Sequence, residues 1–303
     1  MNNIETKLGK LQFQNPITVA SGTFGYEYSD YVDFNKLGAI VTKTITKHPK
    51  IGNKPPRLFE TSGGLLNSIG LQNPGLENFI KDELPKYRGF STNLIISFSG
   101  SSISEFKEIL LRLEDEEGID GYEINVSCPN VENEGLAFGV DAKIVNKLTG
   151  ELSKLTTREL TIKLSPNVTD IKEIAKAAED GGADSLSLIN TLLGMAIDWK
   201  TGKIYFKRGL AGYSGPVIKP VALNLVYQVA KTVNIPIMAM GGISNWMDAL
   251  EFIYAGASVV AIGTQNFVNP KITIETINNL QNFLEEKKLT IKNLIGKANM
   301  EEK

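Results

Sequence analysis

The sequence contains a single cysteine, Cys128, and a single histidine, His48. One cysteine cannot form a disulfide within the chain, and one cysteine with one histidine cannot supply the ligands of a zinc site or an iron–sulfur cluster. We therefore expect no metal site in this chain, and any cluster that serves it must lie on another chain.

The sequence also lacks an excess of charge and a long apolar run. The 32 basic and 34 acidic residues give a net charge of -2, so no basic surplus exists to neutralise nucleic acid or anionic lipid. No apolar run approaches the roughly 18 residues of a membrane span, and the polar start has no signal-peptide core. The sequence predicts a cytoplasmic protein that binds neither nucleic acid nor membrane.

Short apolar, β-branched runs recur along the chain, each followed by turn residues and a segment with helical spacing. Eight such runs occupy residues 16–22, 38–44, 93–100, 121–127, 160–166, 185–190, 235–242 and 258–264. Strands that are apolar throughout are typical of parallel sheets covered by helices, and eight such units predict an α/β fold, the (β/α)₈ TIM barrel. An open doubly wound sheet is the alternative, but the Gly-x-Gly-x-x-Gly turn expected after its first strand is missing.

No linker divides the 303 residues, so we expect one domain over residues 1–303. The longest stretch without a clear element is 45–74, after the second strand, and its length suggests an insertion over the barrel mouth. The Gly-containing segment from Pro129 to Phe138, after the fourth strand, has the composition of a lid.

Polar residues fall at the carboxyl ends of the predicted strands, where barrel enzymes place their catalytic groups. The ends carry Ser21 and Gly22, Lys43 and Thr44, Ser97 and Ser99, Asn125 with Ser127 and Cys128, Lys163, Asn190 and Thr191, Gly241 and Gly242, and Gly263 and Thr264. The glycines at the last two strand ends let backbone N–H groups approach a phosphate, which predicts a phosphorylated ligand without naming a reaction.

Two of these residues leave alternatives open. An ammonium group in an apolar strand is costly, so Lys163 either forms a Schiff base as a free amine, stabilises an anionic ring as a cation, or reaches out to water. Cys128, on a loop after a strand, is either a small buried hydrophobe or a reactive thiol, and without a nearby histidine it suits proton abstraction better than nucleophilic attack.

The chain resembles the class 1 dihydroorotate dehydrogenases, class 1B in particular, over nearly its whole length. The shared blocks are NPITVASGTFG, TKT, PPRLFET, LLNSIGLQNPG, NVSCPN followed by FGVD, KLSPNVTD, LINT, SGPVIKP, MAMGGI and AIGT. The resemblance implies a TIM barrel that binds flavin mononucleotide (FMN) and oxidises dihydroorotate to orotate in pyrimidine synthesis. Cys128 matches the family's catalytic base, and Lys163 would offset negative charge on the reduced flavin.

The resemblance also implies the binding residues. FMN would contact Ser21, Lys43, Thr44, Ser97, Asn125, Lys163, Ile189, Gly215, Gly241, Gly242, Gly263 and Thr264. Substrate would be held by Lys43, Asn67, Ser68, Ile69, Gly70, Leu71, Asn125, Asn190 and Thr191. Ser97 departs from the family, which commonly has an asparagine there, so its role as a flavin ligand is the weakest of the set.

Class 1B implies a partner subunit that carries flavin adenine dinucleotide (FAD) and a 2Fe-2S cluster, passes electrons to NAD, and completes a heterotetramer around a homodimer. The alternatives are a class 1A enzyme that uses fumarate, an oxidoreductase of uracil-type bases, a Schiff-base lyase at Lys163, and a barrel that has lost activity. The intact set of Lys43, Asn67, Asn125, Cys128, Lys163 and Asn190 argues against the last.

Overall fold

The computed structural model describes residues 3–127 and 138–300. Within them, eight parallel strands form one sheet: Ile17–Val19, Ala39–Val41, Asn93–Phe98, Gly121–Asn125, Glu159–Lys163, Ser185–Leu188, Ile237–Ala239 and Val259–Ile262. Each strand lies within or one residue beyond a predicted apolar run, so all eight strands are confirmed. From the second strand to the eighth, each strand pairs with the next one along the chain, and the eighth strand pairs with the first.

Two hydrogen bonds close the ring between the first and second strands. Gly38 N donates to Ile17 O at 2.9 Å, and the Thr18 hydroxyl donates to Ala39 O at 2.8 Å. The sheet therefore forms a closed barrel, which confirms the TIM-barrel prediction.

Helices surround the barrel. The longer ones among the described residues are Ile103–Glu114, Ala142–Leu152, Ile171–Asp180, Lys219–Ala230, Trp246–Ala255 and Ile272–Lys287. Shorter α-helices are Leu76–Asn78, Leu84–Tyr87, Gln265–Val268, Ile291–Leu294 and Lys297–Met300, with a π turn at Phe79–Glu83 and 3₁₀ turns at Tyr26–Asp30, Phe34–Lys36, Phe138–Val140 and Pro216–Ile218.

The helix Ile103–Glu114 illustrates why these segments are helical. The Ser102 side chain accepts a hydrogen bond from Glu105 N at 3.2 Å, which caps the first turn. Phe106 and Leu110, one turn apart, are fully buried against the sheet. The apolar stripe predicted from the helical spacing therefore packs against the outer surface of the barrel sheet.

Short strands outside the barrel cover its two ends. At the amino ends, a hairpin of Thr6–Leu8 and Leu11–Phe13 inserts the buried side chains of Leu8 and Phe13 among interior residues of the barrel strands, including Val41 and Met238. A smaller hairpin pairs Ile197–Asp198 with Lys203–Ile204.

The stretch 45–74, in which the sequence shows no clear element, contains regular structure. Leu58–Thr61 and Gly64–Asn67 form a hairpin, which joins Ala211–Ser214 and Leu192–Gly194 in a four-stranded antiparallel sheet. Since the last of these strands directly follows Thr191, this second sheet lies at the carboxyl end of the sixth barrel strand. The expected insertion at the mouth is therefore present, with a defined structure.

Candidate active site

The carboxyl ends of the barrel strands carry the predicted polar residues. Asn125 and Lys163 are the last residues of the fourth and fifth strands, and Lys43 follows the second by two positions. Parallel strands direct these ends to one edge of the sheet, so the side chains meet in one region.

Lys43 is a half-buried cation without a hydrogen-bond or ion-pair partner in the described part of the chain. Among residues 3–127 and 138–300, no acceptor lies within hydrogen-bonding distance of its Nζ. Burial lowers its pKa, and the nearby charge of Lys163 lowers it further. A Cβ on Gly22 would lie 3.0 Å from this Nζ, so glycine leaves room for the ammonium group. Lys43 is therefore available to an anionic ligand.

Lys163 does not reach out to water. Its side chain is 5% exposed, and its Nζ donates to Ser21 Oγ at 2.9 Å and to Glu123 Oε1 at 3.2 Å. The carboxylate of Glu123 is 1% exposed, so the two charges form an ion pair inside the barrel. The alternative that Lys163 snorkels into solvent is wrong.

Ser97 lies deeper than a ligand at the barrel mouth would. It is fully buried, its hydroxyl donates to Glu123 Oε1 at 3.0 Å, and it shares a hydrogen bond of 2.9 Å with Thr44 Oγ1. The single donor of this hydroxyl and one of its two acceptor positions are thus used by protein groups. A contact between Ser97 and a flavin stays a prediction.

Hydrogen bonds connect the two asparagines at the strand ends. Asn125 Oδ1 accepts from Ser127 N at 3.1 Å, and Ser127 Oγ accepts from Asn190 Nδ2 at 2.8 Å. Asn190 Oδ1 in turn accepts from Thr191 N at 2.8 Å. Side-chain amides offer both donors and acceptors, which suits recognition of a ring with amide edges.

Asn67 and Thr191 meet over Gly212. Asn67 Nδ2 donates to Gly212 O at 3.3 Å, and a Cβ on Gly212 would clash with Thr191 Oγ1. The second sheet thereby brings Asn67, on its hairpin, to the end of the sixth barrel strand. The following residues Ser68 and Ile69 are fixed from the opposite side by Asn53, which contacts Ser68 Oγ at 3.0 Å and Ile69 O at 2.9 Å. The stretch continues through Gly70 to Leu71, which has a φ of 52°.

Two of the glycines predicted to receive a phosphate, Gly241 and Gly242, lie beside the start of a long helix. Gly242 passes so close to Lys219 that an added Cβ would lie 2.6 Å from Lys219 N, the first residue of the helix Lys219–Ala230. Lys219 itself is paired with Asp248 and Glu251 at 2.7 and 2.9 Å. An anion here would thus depend on backbone N–H groups and the helix dipole.

Gly215, Ile189 and Thr264, which are also predicted flavin residues, lie near the same helix start. Gly215 caps the 3₁₀ turn Pro216–Ile218 that leads into the helix, and Ile189 packs beside Gly241. Gly263 and Thr264 follow the eighth strand, and Thr264 Oγ1 donates to Ser214 Oγ at 2.9 Å.

Cys128 and residues 129–137, the predicted base and most of the predicted lid, lie outside the described residues. Phe138, the last predicted lid residue, is fully buried, and Gly139 N donates to Val126 O at 2.8 Å. The described chain is therefore anchored beside the end of the fourth strand immediately after this segment.

Sequence reasoning missed Glu123, the partner of Lys163. The signal was available, since a carboxylate in the apolar run GYEINVS needs a buried partner by the same argument that singled out Lys163. Ser127 stood among the strand-end residues, but its link between Asn125 and Asn190 follows from the fold alone.

The described part of the chain has neither a membrane-spanning helix nor a metal-binding cluster. No helix there is long and apolar enough to cross a membrane. No group of three or more His, Cys, Asp or Glu side chains in residues 3–127 and 138–300 is placed to hold a metal ion.

Comparisons with a family profile and with known proteins agree with each other. The profile of the family described as dihydroorotate dehydrogenase matches residues 3–284. A protein of Thermoanaerobacter pseudethanolicus, named dihydroorotate dehydrogenase B (NAD(+)), catalytic subunit, is 52% identical over 284 residues, which are 93% of this chain and 94% of that protein. Proteins of the same name from Desulforamulus reducens and Bacteroides thetaiotaomicron are 50% and 45% identical, each over 98% of this chain and 99% of its own length.

Proposed function

The chain belongs to the dihydroorotate dehydrogenase family, and from this premise we propose that it oxidises dihydroorotate to orotate as the catalytic subunit of an NAD-linked enzyme. The observation that carries the proposal is Lys43, a half-buried ammonium without a protein acceptor in the described residues, beside a row of side-chain amides. Orotate bears one carboxylate on a ring with amide edges. The site offers one free cation and convergent amide groups, which match both features.

Substrate is proposed to lie between the barrel ends and the second sheet. Lys43 would bind the carboxylate, and Asn67, Asn125, Asn190 and Thr191 would pair with the ring edges. The stretch from Ser68 through Ile69, Gly70 and Leu71 would form one wall, held in place by Asn53.

The family implies a flavin, and we infer that it is FMN. The residues present fit such a group. Two cations, the half-buried Lys43 and the buried Lys163, lie close together, and glycines at the start of the helix Lys219–Ala230 leave its backbone N–H groups accessible. The residues that would hold it are Ser21, Lys43, Thr44, Ser97, Asn125, Lys163, Ile189, Gly215, Gly241, Gly242, Gly263 and Thr264. When bound, the flavin supplies the acceptor for a hydride.

The proposed acid–base chemistry belongs to Cys128. Its thiolate would remove the proton from the ring carbon beside the carbonyl, as a hydride leaves the adjacent carbon. Lys163 would stabilise the negative charge that develops on the flavin side of the site. Residues 129–138 would exclude water as a lid, and residues 1–303 would act as one domain; both stay predictions.

The name "catalytic subunit" given to the relatives implies a partner subunit. We propose that this partner holds FAD and a 2Fe-2S cluster, passes electrons to NAD, and joins the chain in a cytoplasmic heterotetramer around a homodimer. A chain with one cysteine cannot ligate such a cluster itself, which agrees with the division of labour.

A purified preparation tests the reaction. The protein is expected to be yellow, and its flavin absorbance should bleach when dihydroorotate is added without oxygen. Bleaching by dihydrouracil instead would select the uracil-type oxidoreductase. Borohydride trapping of a carbonyl compound on Lys163 would select the lyase. The ion pair with Glu123 argues against this reaction, because it holds Lys163 as an ammonium and a Schiff base forms from the free amine.

Purification from the native host tests the partner. A second chain that brings iron and FAD, and NAD-dependent turnover of the complex, are expected. Reoxidation by fumarate without any second chain would select class 1A.

A further inference from the structure

Glu123 is a buried carboxylate that the proposed chemistry does not use. It lies in the fourth barrel strand, two residues before Asn125, and its side chain is 1% exposed. Three donors surround it: Ser97 Oγ and Ser187 Oγ at 3.0 Å each, and Lys163 Nζ at 3.2 Å. Burial of a carboxylate is costly even when it is paired, so its presence at the centre of the barrel requires a reason.

The carboxylate fixes the direction of a chain of hydrogen bonds. An ionised carboxylate only accepts, so the one hydroxyl hydrogen of Ser97 is used toward Glu123. At the 2.9 Å contact between Ser97 and Thr44, Thr44 must therefore be the donor. Thr44 Oγ1 is then left to accept, and it receives Asn125 Nδ2 at 3.4 Å.

This direction determines which way the Asn125 amide faces. With its nitrogen turned to Thr44, its oxygen Oδ1 accepts from Ser127 N at 3.1 Å. Ser127 and Asn190 continue the chain at 2.8 Å. A flipped amide would face the Thr44 hydroxyl oxygen with its own oxygen and Ser127 N with its NH₂ group, and would lose both bonds.

We propose that Glu123 is a positioning residue: through Ser97 and Thr44 it sets the orientation of the Asn125 amide toward substrate, and through its ion pair it holds the Lys163 ammonium on the flavin side. The inference rests on the proposed function, because it takes Asn125 as a substrate ligand and Lys163 as a flavin ligand. The buried charge of Glu123 thereby positions both the substrate-binding amide of Asn125 and the flavin-side ammonium of Lys163.

The ion pair also sets the charge of the site. Lys43 and Lys163 are close enough that the charge of Lys163 lowers the pKa of Lys43. Glu123 compensates the charge of Lys163, so that in the described part of the site Lys43 remains as the positive charge for an anionic ligand. Among the described residues, the groups that bond to Glu123 are Ser97, Lys163 and Ser187, from the third, fifth and sixth strands.

Equilibrium binding of orotate to the flavin-loaded protein tests the path to Asn125, with flavin absorbance as the signal. Ser97→Ala removes the first link and keeps the ion pair, and it should weaken orotate binding about 3- to 10-fold, the worth of one hydrogen bond. Ser187→Ala removes a hydroxyl from the same carboxylate on the side away from Asn125, so it is the matched control and should leave affinity within about twofold. Equal losses in the two variants would show a packing role and overturn the proposal.

A double-mutant cycle shows whether Ser97 acts through Asn125. In the Asn125→Ala background, Ser97→Ala should have no further effect on orotate affinity, because the amide that it orients is gone. Full additivity of the two losses would overturn the proposal. If wild-type protein gave no orotate signal at all, the proposed function would fail instead.

The flavin potential separates the second action of Glu123. Glu123→Gln keeps the shape and removes the negative charge, so the midpoint potential of the bound flavin should rise, since reduction adds negative charge beside Lys163. Ser187→Ala, which removes a neutral hydroxyl from Glu123 and keeps both charges of the ion pair, should leave the potential unchanged. A Glu123→Gln protein with wild-type potential and wild-type orotate affinity would overturn the proposal. If Glu123→Gln does not fold, the Ser97 and Ser187 variants still decide the path to Asn125.

Discussion

Lys43 has an unusual environment for a cation in a protein: it is half-buried and has no acceptor in the described residues. Burial first, and the charge of Lys163 second, lower its pKa. A lowered pKa means that the positive charge is lost at a lower pH than in an exposed lysine. The affinity for a carboxylate ligand should follow that loss.

We predict that orotate affinity falls as the pH rises, and that the fall begins below the range in which exposed lysines titrate. Lys43→Met should weaken binding at neutral pH by about 10- to 100-fold, the range for a hydrogen bond to a charged group, and should remove this pH dependence. Orotate titrations of both proteins over a series of pH values measure the effect. If the variant keeps wild-type affinity, the carboxylate is bound elsewhere.

Cys128 carries the prediction with the largest kinetic effect. Cys128→Ser should lower turnover by about 10²-fold or more at neutral pH, because a serine hydroxyl is deprotonated to a far smaller extent than a thiol and so supplies far less of the base. The flavin should stay bound, since Cys128 is not among its proposed ligands. Stopped-flow reduction by dihydroorotate measures the step directly. Unchanged reduction would remove Cys128 from the mechanism.

At the scale of elements, the second sheet determines whether Asn67 reaches the site. Its hairpin, Leu58–Thr61 and Gly64–Asn67, pairs with a strand whose residue Gly212 lies 145 positions away from Asn67. Gly212 is the point at which Asn67 and Thr191 come together. Any side chain at this position would separate them.

Gly212→Ala tests the role of this sheet. Its Cβ would clash with Thr191 Oγ1 and lie 3.3 Å from Asn67 Nδ2, so the variant should bind orotate about 10-fold less tightly while it keeps its flavin. Gly89→Ala is the matched control, because nothing lies within 4 Å of its added Cβ. If the Gly212 variant binds as well as the control, the sheet does not form part of the substrate site.

The same sheet shows where sequence reasoning ends. The eight barrel strands were predictable because each is a local apolar run with a turn after it. The hairpin at 58–67 was not predictable. Its register depends on pairing with Ala211–Ser214, and no local pattern indicates a partner so far along the chain. Within the site, the residue types at strand ends were predictable, whereas the chain of hydrogen bonds from Glu123 to Asn125 depends on which side chains face inward together.

At the scale of the whole molecule, the buried charged residues of the described barrel strands all lie on the fourth and fifth strands. Apolar interior residues such as Val41, Ile95 and Met238 come from the second, third and seventh strands. Glu123, Glu159 and Lys163 come from the fourth and fifth. Glu123 and Lys163 neutralise each other near the carboxyl ends, whereas Glu159, at the amino ends, accepts from Ser185 Oγ at 2.6 Å and Lys10 N at 2.7 Å without a cation on its carboxylate among the described residues.

Glu159 should therefore couple global stability to pH. Burial raises its pKa, more than its hydrogen bonds from Ser185 and Lys10 lower it. A carboxyl group with a raised pKa in the folded state favours folding while it is protonated, and this contribution is lost as the pH rises through the folded-state value. Glu159→Gln, which keeps an acceptor for Lys10 N and stays neutral, should gain stability relative to wild type as the pH rises above the ordinary carboxyl range.

Denaturant unfolding of both proteins from acidic to mildly alkaline pH measures this difference. Glu151 provides a control of opposite sign, since its hydrogen bond with Lys107 at 2.8 Å lowers its pKa. Glu151→Gln should lose a small amount of stability relative to wild type at neutral pH and approach wild type in acid, where the carboxylate of the wild type becomes protonated. A difference between Glu159→Gln and wild type that stays constant over the pH series would mean that the barrel interior accommodates the ionised carboxylate without cost, and that the hydrogen bonds at the amino ends compensate fully for its burial.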